Sequence, residues 1–264
     1  MRILLVNDDG ITAEGLAVAQ AIATEIAGGG ENVWVVAPAF EQSGVGHCVS
    51  FVRPLLTQAL APQRVAVEGS PADCVLVALH DVMKEAPPDL VLSGVNRGRN
   101  VAEDTLYSGT VGGAMEAALQ GYRAIALSQV LGPRNRTAPD PFEAARRYGV
   151  EVVRRILAAD IWEDHRYGVF YNVNFPPFPA AEVTGVMGTR QGHRPKPTFV
   201  AEAQQAPNMR SYLWLKHPYE NEPVEPGTDG YEAQRGAITV TPLRADLTAR
   251  DLVEGLHGQI AQPL

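Results

Sequence analysis

The first two thirds of the chain alternate between short continuous apolar runs and longer stretches with helical periodicity. A short apolar run bounded by turn residues predicts a strand that is buried on both faces. Such runs occupy residues 3–6, 32–36, 89–92 and 124–127. Helical patterns occupy about residues 13–27, 72–83, 110–119 and 142–158. This alternation predicts a Rossmann-like α/β fold, with a mostly parallel sheet and helices on both faces.

The last third of the chain has a different pattern. From about Phe175 prolines become frequent, strand-like pieces occupy residues 212–215 and 238–241, and a helical pattern returns at residues 246–256. We therefore predict two regions. Residues 1–175 form an α/β core, and residues 176–264 form a β-rich extension that ends in a helix.

The composition is that of a globular protein. Of the 264 residues, 45% are hydrophobic and 20% are charged, which excludes a disordered or fibrous chain. The formal net charge of −8 argues against binding to duplex nucleic acid, because neutralising phosphates requires a basic face. A small anionic substrate is still compatible with this charge, since a bound metal ion supplies local positive charge.

Cysteine usage and hydropathy favour a cytoplasmic protein. Cys48 and Cys74 are far apart and lie in no C-x-x-C or Cys/His ligand pattern, which favours a reducing compartment. Met1-Arg2 leads directly into the first apolar run, without the pattern of a signal peptide. No apolar run approaches the roughly 20 residues that a membrane span requires. We therefore expect a cytoplasmic location and no membrane partner.

Oxygen-bearing side chains follow three of the predicted strands. Asp8 and Asp9 follow the first strand, Ser43 lies in the loop after the second, and Asn96 follows the third. Because ligands bind beyond the carboxyl ends of parallel strands, we expect these residues to lie close together. Adjacent carboxylates repel unless a cation or proton intervenes, and this hard donor set suits magnesium or manganese. The alternative is that Asp9-Gly10 forms an ordinary turn and Asp8 caps a helix.

A second group of polar residues precedes the third predicted helix. Ser108-Gly109-Thr110 lies where free backbone N–H groups and the helix dipole favour an anion such as phosphate. Asn100 ends a loop rich in glycine and asparagine, which allows backbone to approach a ligand closely. An ordinary Ser/Thr helix cap is the alternative for the first segment, and a plain turn for the second.

These motifs are part of a larger set that resembles the SurE family of stationary-phase survival proteins. The segments that carry the resemblance are Asn7-Asp8-Asp9-Gly10, Gln42-Ser43-Gly44, Gly69-Ser70-Pro71-Ala72-Asp73-Cys74, Ser93-Gly94-Val95-Asn96-Arg97-Gly98, Tyr107-Ser108-Gly109-Thr110-Val111, Asn172-Val173-Asn174-Phe175-Pro176, Gly227-Thr228-Asp229 and Thr241-Pro242-Leu243. They occur in family order along nearly the whole chain, which makes the set specific.

The resemblance implies a metal-dependent phosphatase that hydrolyses nucleoside 5′- and 3′-monophosphates to nucleoside and phosphate. It implies one divalent ion, Mg²⁺ or Mn²⁺, per subunit. The implied ligands are Asp8, Asp9, Ser43 and Asn96. Asp8 or Asp9 would also orient or deprotonate the attacking water. The implied substrate-binding residues are Asn96, Asn100, Ser108, Gly109 and Thr110. The core would be catalytic, and the extension would form a homodimer or homotetramer by exchanging C-terminal arms.

Other functional classes fit the sequence less well. A non-hydrolytic nucleotide- or phosphate-binding module is the main alternative, but no G-x-G-x-x-G follows the first strand and no P-loop motif is present. Phosphoryl receivers carry their acceptor aspartate after a later strand, where this chain has Asn96. Neither Ser43 nor Ser108 lies in the G-x-S-x-G motif of serine hydrolases. The adjacent aspartates also differ from the D-x-D pair of haloacid-dehalogenase-like phosphatases.

Overall fold

A computed structural model describes residues 1–162, 167–196, 199–205, 210–216 and 225–260. At its centre is β1 (Ile3–Val6), which is buried along its whole length, as its continuous apolar run predicts. It pairs in parallel with β2 (Val33–Pro38) on one side and with β5 (Leu90–Arg97) on the other.

The sheet extends in both directions from this centre. Beyond β2 lie β4 (Arg64–Val67), which is parallel to it, and β3 (Thr57–Ala61), an exposed antiparallel edge strand. Beyond β5 lie β6 (Ala124–Gln129) and β7 (Phe170–Phe175), both parallel. The order ends with β11 (Ala237–Leu243), antiparallel to β7, and β8 (Gly185–Gly188), parallel to β11. This nine-stranded sheet is therefore mostly parallel.

Helices cover both faces of this sheet. On one face, α1 (Glu14–Ala27) packs beside α5 (Glu143–Ala159). On the other, α2 (Pro71–Val77), which continues into a wider turn over Ala78–Val82, packs beside α4 (Gly109–Leu119). Each pair of helices buries a separate apolar cluster against the sheet. The predicted α/β fold with helices on both faces is thus confirmed.

The remaining elements are short or lie at the periphery. They are α3 (Asp104–Tyr107), α6 (Asp229–Ala233), the C-terminal helix α7 (Arg250–Ile260), the antiparallel hairpin of β9 (Val200–Gln205) and β10 (Ser211–Lys216), and single 3-10 turns at Gly30–Asn32 and Ala180–Glu182. The predicted β-rich extension and terminal helix are therefore present. Strands β8 and β11, which follow residue 175, belong to the main sheet.

Several boundaries differ from the sequence prediction. The strand expected over residues 89–92 is β5, which runs to Arg97, so Asn96 lies inside a strand rather than in a loop. Pairing with β6 shifts in register between Ser93 and Asn96 and then resumes, which explains how a segment rich in glycine and asparagine stays in the sheet. The terminal helix begins at Arg250 instead of residue 246.

In the part of the chain that the structure describes, no helix is both long and apolar enough to cross a membrane.

Candidate active site

The order of the strands creates a crevice beside β1. From β1 the chain passes to β2 on one side and later to β5 on the other, so the sheet has a topological switch point there. Ligands bind at such points, beyond the carboxyl ends of the strands. A cleft of about 1600 Å³ opens at this position. Of the residues predicted to form the site, those that line the cleft are Asp8, Asp9, Ser43, Asn96, Asn100 and Ser108.

Asp8 is held at the N-terminus of α4. Its side chain is almost fully buried, and its Oδ1 accepts a hydrogen bond of 2.6 Å from the hydroxyl of Thr110. Oδ2 accepts the backbone N–H of Thr110 at 3.1 Å. Burial raises the pKa of Asp8 to about 6, and the negative charge of Asp9 adds to this effect, while the hydrogen bonds from Thr110 oppose it. The carboxylate of Asp8 is therefore fixed in orientation, but the hydrogen bonds from Thr110 do not fully offset the cost of burying its negative charge.

Gly109 allows this close approach of Asp8 to the helix. A Cβ atom at Gly109 would lie 2.8 Å from the Cβ of Asp8 and 3.1 Å from its Oδ2. Both distances are shorter than ordinary contacts, so a larger residue would displace the carboxylate. Gly109 thus shapes the site without lining the cleft.

Asp9 is oriented by the end of β5. Its Oδ2 accepts the backbone N–H of Arg97 at 3.0 Å. Burial raises the pKa of Asp9; this N–H group opposes the shift and the nearby charge of Glu41 adds to it. Two adjacent carboxylates with raised pKa values therefore face one cleft. Such a pair is stabilised by a bound cation.

The loop after β2 closes the site from the other side. The backbone N–H of Gln42 donates to the carbonyl oxygen of Asp8 at 2.7 Å, which places Ser43 beside the carboxylates. The Ser43 hydroxyl donates to the Glu41 carboxylate at 2.8 Å. Glu41 also lines the cleft, and our sequence analysis missed it. The available signal was an acidic residue in the loop after the second predicted strand, two positions before Ser43.

His47 secures the same loop to α4. Its Nε2 lies 2.6 Å from Oε2 of Glu116, a side chain that is largely buried. Burial alone would raise the pKa of Glu116, but the hydrogen bonds from His47 and Gln120 outweigh it and hold that pKa below its usual value. His47 therefore has a structural contact outside the cleft lining.

Asn100 is fixed by the ends of two neighbouring strands. Its backbone N–H donates to Oδ1 of Asn174 at 2.9 Å, and its side-chain amide donates to the Ser128 hydroxyl at 2.8 Å. Its carbonyl oxygen accepts hydrogen bonds from the side chains of Asn172 and Asn174, at 2.7 and 3.1 Å. Alternate residues of β7 point to the same face of the sheet, so this N-x-N pattern was a usable signal for a site-supporting pair.

The segment predicted to bind phosphate makes two kinds of contact. The Ser108 hydroxyl accepts the backbone N–H of Val111 at 3.1 Å, which makes Ser108 the N-cap of α4. Thr110 is fully buried, and both its donors are bound to Asp8. The structure therefore brings Ser108 to the cleft and directs Thr110 to the carboxylate. Phosphate binding by residues 108–110 stays a prediction.

The donor chemistry of the cleft fits a hard divalent cation. Within the described residues, no three His, Cys, Asp or Glu side chains come together as a metal-binding group. The candidate ligands that share the cleft are instead two carboxylates, a hydroxyl and an amide, contributed by Asp8, Asp9, Ser43 and Asn96. An all-oxygen set of this kind suits Mg²⁺ or Mn²⁺.

Basic and aromatic groups also line the same cleft. Arg99, Arg136 and Lys216 contribute to its lining. The rings of Tyr107 and Phe199 meet edge to face, with centroids 5.1 Å apart. The cleft thus combines an acidic pair with basic and aromatic groups that suit an anionic, partly aromatic ligand.

Fold and cleft together define a class: an open, mostly parallel α/β protein with a paired-carboxylate site at its topological switch point. Comparison with known proteins narrows this class. The family model described as "Survival protein SurE" matches residues 3–197. The chain belongs to the SurE family.

Individual relatives cover nearly the whole chain. A protein of Ruegeria pomeroyi named 5′-nucleotidase SurE is 58% identical over 262 residues, which cover 98% of this chain and 100% of the relative. A protein of the same name from Cereibacter sphaeroides is 55% identical over 260 residues, with 98% and 100% coverage. The crystal structure of the SurE protein from Aquifex aeolicus superposes with a TM-score of 0.80 at 34% identity, covering 98% of this chain and 99% of that one.

Proposed function

We propose that the protein is a metal-dependent nucleotidase, which hydrolyses nucleoside 5′- and 3′-monophosphates to nucleoside and phosphate in the cytoplasm. The observation that carries this proposal is the pair of buried Asp8 and half-buried Asp9, which shares one cleft with Ser43 and Asn96. The names of the curated relatives, which are 5′-nucleotidases, support the substrate class.

We infer that one divalent ion, Mg²⁺ or Mn²⁺, binds each subunit at Asp8, Asp9, Ser43 and Asn96. Such an ion supplies Lewis-acid stabilisation of the charge that develops on the phosphoryl group. Asp8 and Asp9 attract the ion and hold it beside β1, since each carboxylate is already oriented by a hydrogen bond to the neighbouring backbone. Ser43 and Asn96 complete a neutral part of the donor set.

The protein's own side chains and backbone would activate the water and bind the substrate. Asp8 or Asp9 would orient or deprotonate the attacking water. Asn100 and the N-terminal turn of α4 at Ser108 would hold the phosphate, because both lie on the cleft and helix N-termini favour anions. The nucleoside would extend toward the outer rim of the cleft.

Self-association through the C-terminal region is part of the proposal. The hairpin of β9 and β10 exposes apolar side chains, among them Leu213, Trp214 and Leu215. Helix α7 exposes Leu252 and Leu256. Exposed apolar patches of this kind mark contact surfaces, and exchange of an element between copies is a low-cost route to a symmetric assembly. We therefore infer a homodimer or homotetramer.

A phosphate-release assay tests the proposed activity. Purified protein is incubated with nucleoside 5′- and 3′-monophosphates, first with added Mn²⁺ or Mg²⁺ and then with a chelator. We expect release with metal and a loss of at least about a hundredfold with chelator, since the metal supplies several kcal/mol of charge stabilisation. Nucleotide binding without any phosphate release would instead identify a non-hydrolytic binding module.

A further inference from the structure

The backbone from Asn100 to Asp104 follows an unusual path beside the cleft. Ala102 has φ of +53°, in the left-handed region that side chains other than glycine and asparagine rarely adopt. Such a conformation persists only where the surrounding structure holds it. Because Asn100 and Asp104 both line the cleft, the geometry of this turn decides where their side chains lie.

Asp229 holds the turn from a distant part of the sequence. Its side chain is fully buried, and its Oδ2 accepts the backbone N–H of Ala102 at 3.1 Å. Its Oδ1 accepts the backbone N–H groups of Gly192 and Gly230, at 2.9 and 2.7 Å. Asp229 is not among the residues that line the cleft. The carboxylate therefore joins the turn to two segments of the C-terminal region.

The segment before the exposed hairpin holds the same turn. The side-chain amide of Gln191 donates to the carbonyl oxygen of Ala102 at 2.9 Å and to the Thr105 hydroxyl at 3.0 Å. The guanidinium of Arg194 is buried and donates to the Asp104 carboxylate at 2.6 Å. Ala102 is thus held through its carbonyl oxygen as well as through its backbone N–H.

We propose that Asp229 is a positioning residue for the cleft, which it serves by holding Ala102 in the left-handed conformation and so setting the path from Asn100 to Asp104. Because this role is tested by measuring turnover, the test rests on the proposed phosphatase activity. A carboxylate is required because three N–H groups converge on it. A purely structural role would lower stability without a selective effect on turnover.

The variant Asp229→Asn separates these roles. Its single carbonyl oxygen can still accept from Gly192 and Gly230, whereas its amide presents hydrogen atoms toward the N–H of Ala102. We expect kcat for phosphate release to fall by about tenfold or more while KM changes by less than about threefold, because a small misplacement of a site has effects of this size.

Rescue by glycine then identifies the turn as the cause. In the Asp229→Asn background, Ala102→Gly should restore most of kcat, because glycine adopts positive φ without steric cost. Asp160 provides a matched control, since it also has a left-handed φ, of +49°, at the end of α5. Asp160→Gly in the same background should leave kcat unchanged.

Three results would overturn the proposal: wild-type kcat in folded Asp229→Asn, no rescue by Ala102→Gly, or equal rescue by Asp160→Gly. Should Asp229→Asn not fold, Gln191→Ala loosens the turn more gently, and the expected loss of kcat is about twofold to fivefold, rescued by Ala102→Gly. Unchanged kcat in Gln191→Ala would then count against the proposal.

A readout without catalysis keeps the two proposals distinguishable. If the wild-type protein releases no phosphate, the proposed activity fails, and hydrogen exchange of the amides at residues 101–105 tests the turn alone. We expect exchange about tenfold faster in Asp229→Asn, or in Gln191→Ala where Asp229→Asn does not fold, because local opening frees these N–H groups. Wild-type exchange rates there would overturn the positioning role.

Discussion

Thr110 donates both its hydroxyl and its backbone N–H to the carboxylate of Asp8, at 2.6 and 3.1 Å. The two bonds end on different carboxylate oxygens, so they fix the plane of the group as well as its position. The helix dipole also favours a negative charge at the start of α4, where the carboxylate lies. Thr110, which was predicted from sequence as a phosphate ligand, is thus positioned to orient the carboxylate of Asp8, which we propose as a metal ligand.

The first prediction removes half of this contact. Thr110→Val keeps the shape of the side chain but loses the hydroxyl donor to Asp8. A hydrogen bond to a charged group is worth about 1.5–3 kcal/mol, so we expect a fall in kcat/KM of roughly tenfold to a hundredfold. Mn²⁺ affinity, measured by calorimetry, should fall as well.

Thr110→Ser is the matched control, because it keeps the hydroxyl and should retain most activity. The same pair of variants tests phosphate binding through inhibition by inorganic phosphate. Weaker inhibition in Thr110→Val at unchanged metal affinity would contradict the role of Thr110 as a support for Asp8.

The second prediction concerns the space beside Asp8. Gly109→Ala places a Cβ atom 2.8 Å from the Cβ of Asp8, which forces the carboxylate or the start of α4 to move. We expect a loss of about 1–3 kcal/mol in stability, as for other overpacked sites, and a severe loss of phosphate release. Gly30→Ala is the control, since nothing lies within 4 Å of its added methyl group. Wild-type turnover in Gly109→Ala would show that Asp8 tolerates displacement.

The central part of the fold could be predicted because its signals are local. The continuous apolar run of β1 predicted a strand buried on both faces. The end of α1 at Gly28 followed from the left-handed conformation that glycine allows. Ser70 and Pro71 predicted the start of α2, where the structure has a capping box with Asp73. The rule for parallel sheets then brought the strand ends together.

The rest depended on contacts that no local pattern shows. Strand β3 is exposed along its whole length, so it has no alternation of buried and exposed side chains to reveal it. The hydrogen bonds of Thr110 to Asp8 and of Asp229 to Ala102 join residues 102 and 127 positions apart. Side-chain direction at such distances is set by tertiary packing, which the sequence pattern does not determine.

The third prediction removes one charge of the acidic pair. In Asp9→Asn the amide oxygen can still accept the backbone N–H of Arg97, so the fold should be kept. Phosphate release should fall at least about a hundredfold and Mn²⁺ binding should weaken, because an anionic ligand is lost. Metal affinity by calorimetry and turnover by phosphate release measure the two effects.

Asp89→Asn is the control for Asp9→Asn. Asp89 accepts a hydrogen bond of 2.7 Å from the backbone N–H of Arg2. Both residues lie at the starts of their strands, directly before β5 and β1, whereas the cleft lies at the strand ends. Asp89→Asn therefore tests a generic loss of carboxylate charge. We expect Asp89→Asn to retain activity. Near wild-type turnover with normal metal binding in Asp9→Asn would refute the site assignment.

The fourth prediction concerns pH and the metal-free protein. Folding raises the pKa of Asp8 from its ordinary value of 3.8 to about 6, so the folded state keeps a proton that the unfolded state loses between these values. Asp8 therefore costs no stability below pH 4, and its cost grows as the pH rises through this window, to about 3 kcal/mol above pH 6.

Unfolding free energies of the chelated wild type and Asp8→Asn measure this cost. The stability of Asp8→Asn relative to wild type should increase from pH 4 to pH 7, and packing effects of the substitution cancel in that comparison. Added Mn²⁺ should stabilise the wild type at pH 7 by mass action and the variant much less. A difference between the two proteins that is independent of pH would contradict the shifted pKa of Asp8.

The last prediction concerns assembly, and the structure narrows it. An exchanged arm that began at Thr228 would include β11, but β11 pairs with β7 of the same chain. Truncation before Thr228 would therefore remove a strand of the main sheet, so the segment expected to cross between subunits is residues 244–264. In it, Leu247 and Leu252 are 80% and 63% exposed in the single chain.

Ending the chain after Leu243 tests this narrower arm while keeping the nine-stranded sheet. We expect the full-length protein to scatter light as a dimer or tetramer at micromolar concentration. The shortened protein should give a smaller species, because the apolar side chains of α7 that stabilise the assembly are lost.

The double substitution Leu213→Lys and Leu215→Lys tests whether β10 also contributes to the assembly. Both side chains are exposed in the single chain, so the substitutions should not disturb the fold. Arg250→Ala in α7 is the control, since it alters a charged side chain and leaves the apolar positions intact. A monomeric full-length protein would refute the exchanged arm, whereas the predictions for Asp8 and Asp9 would be unaffected.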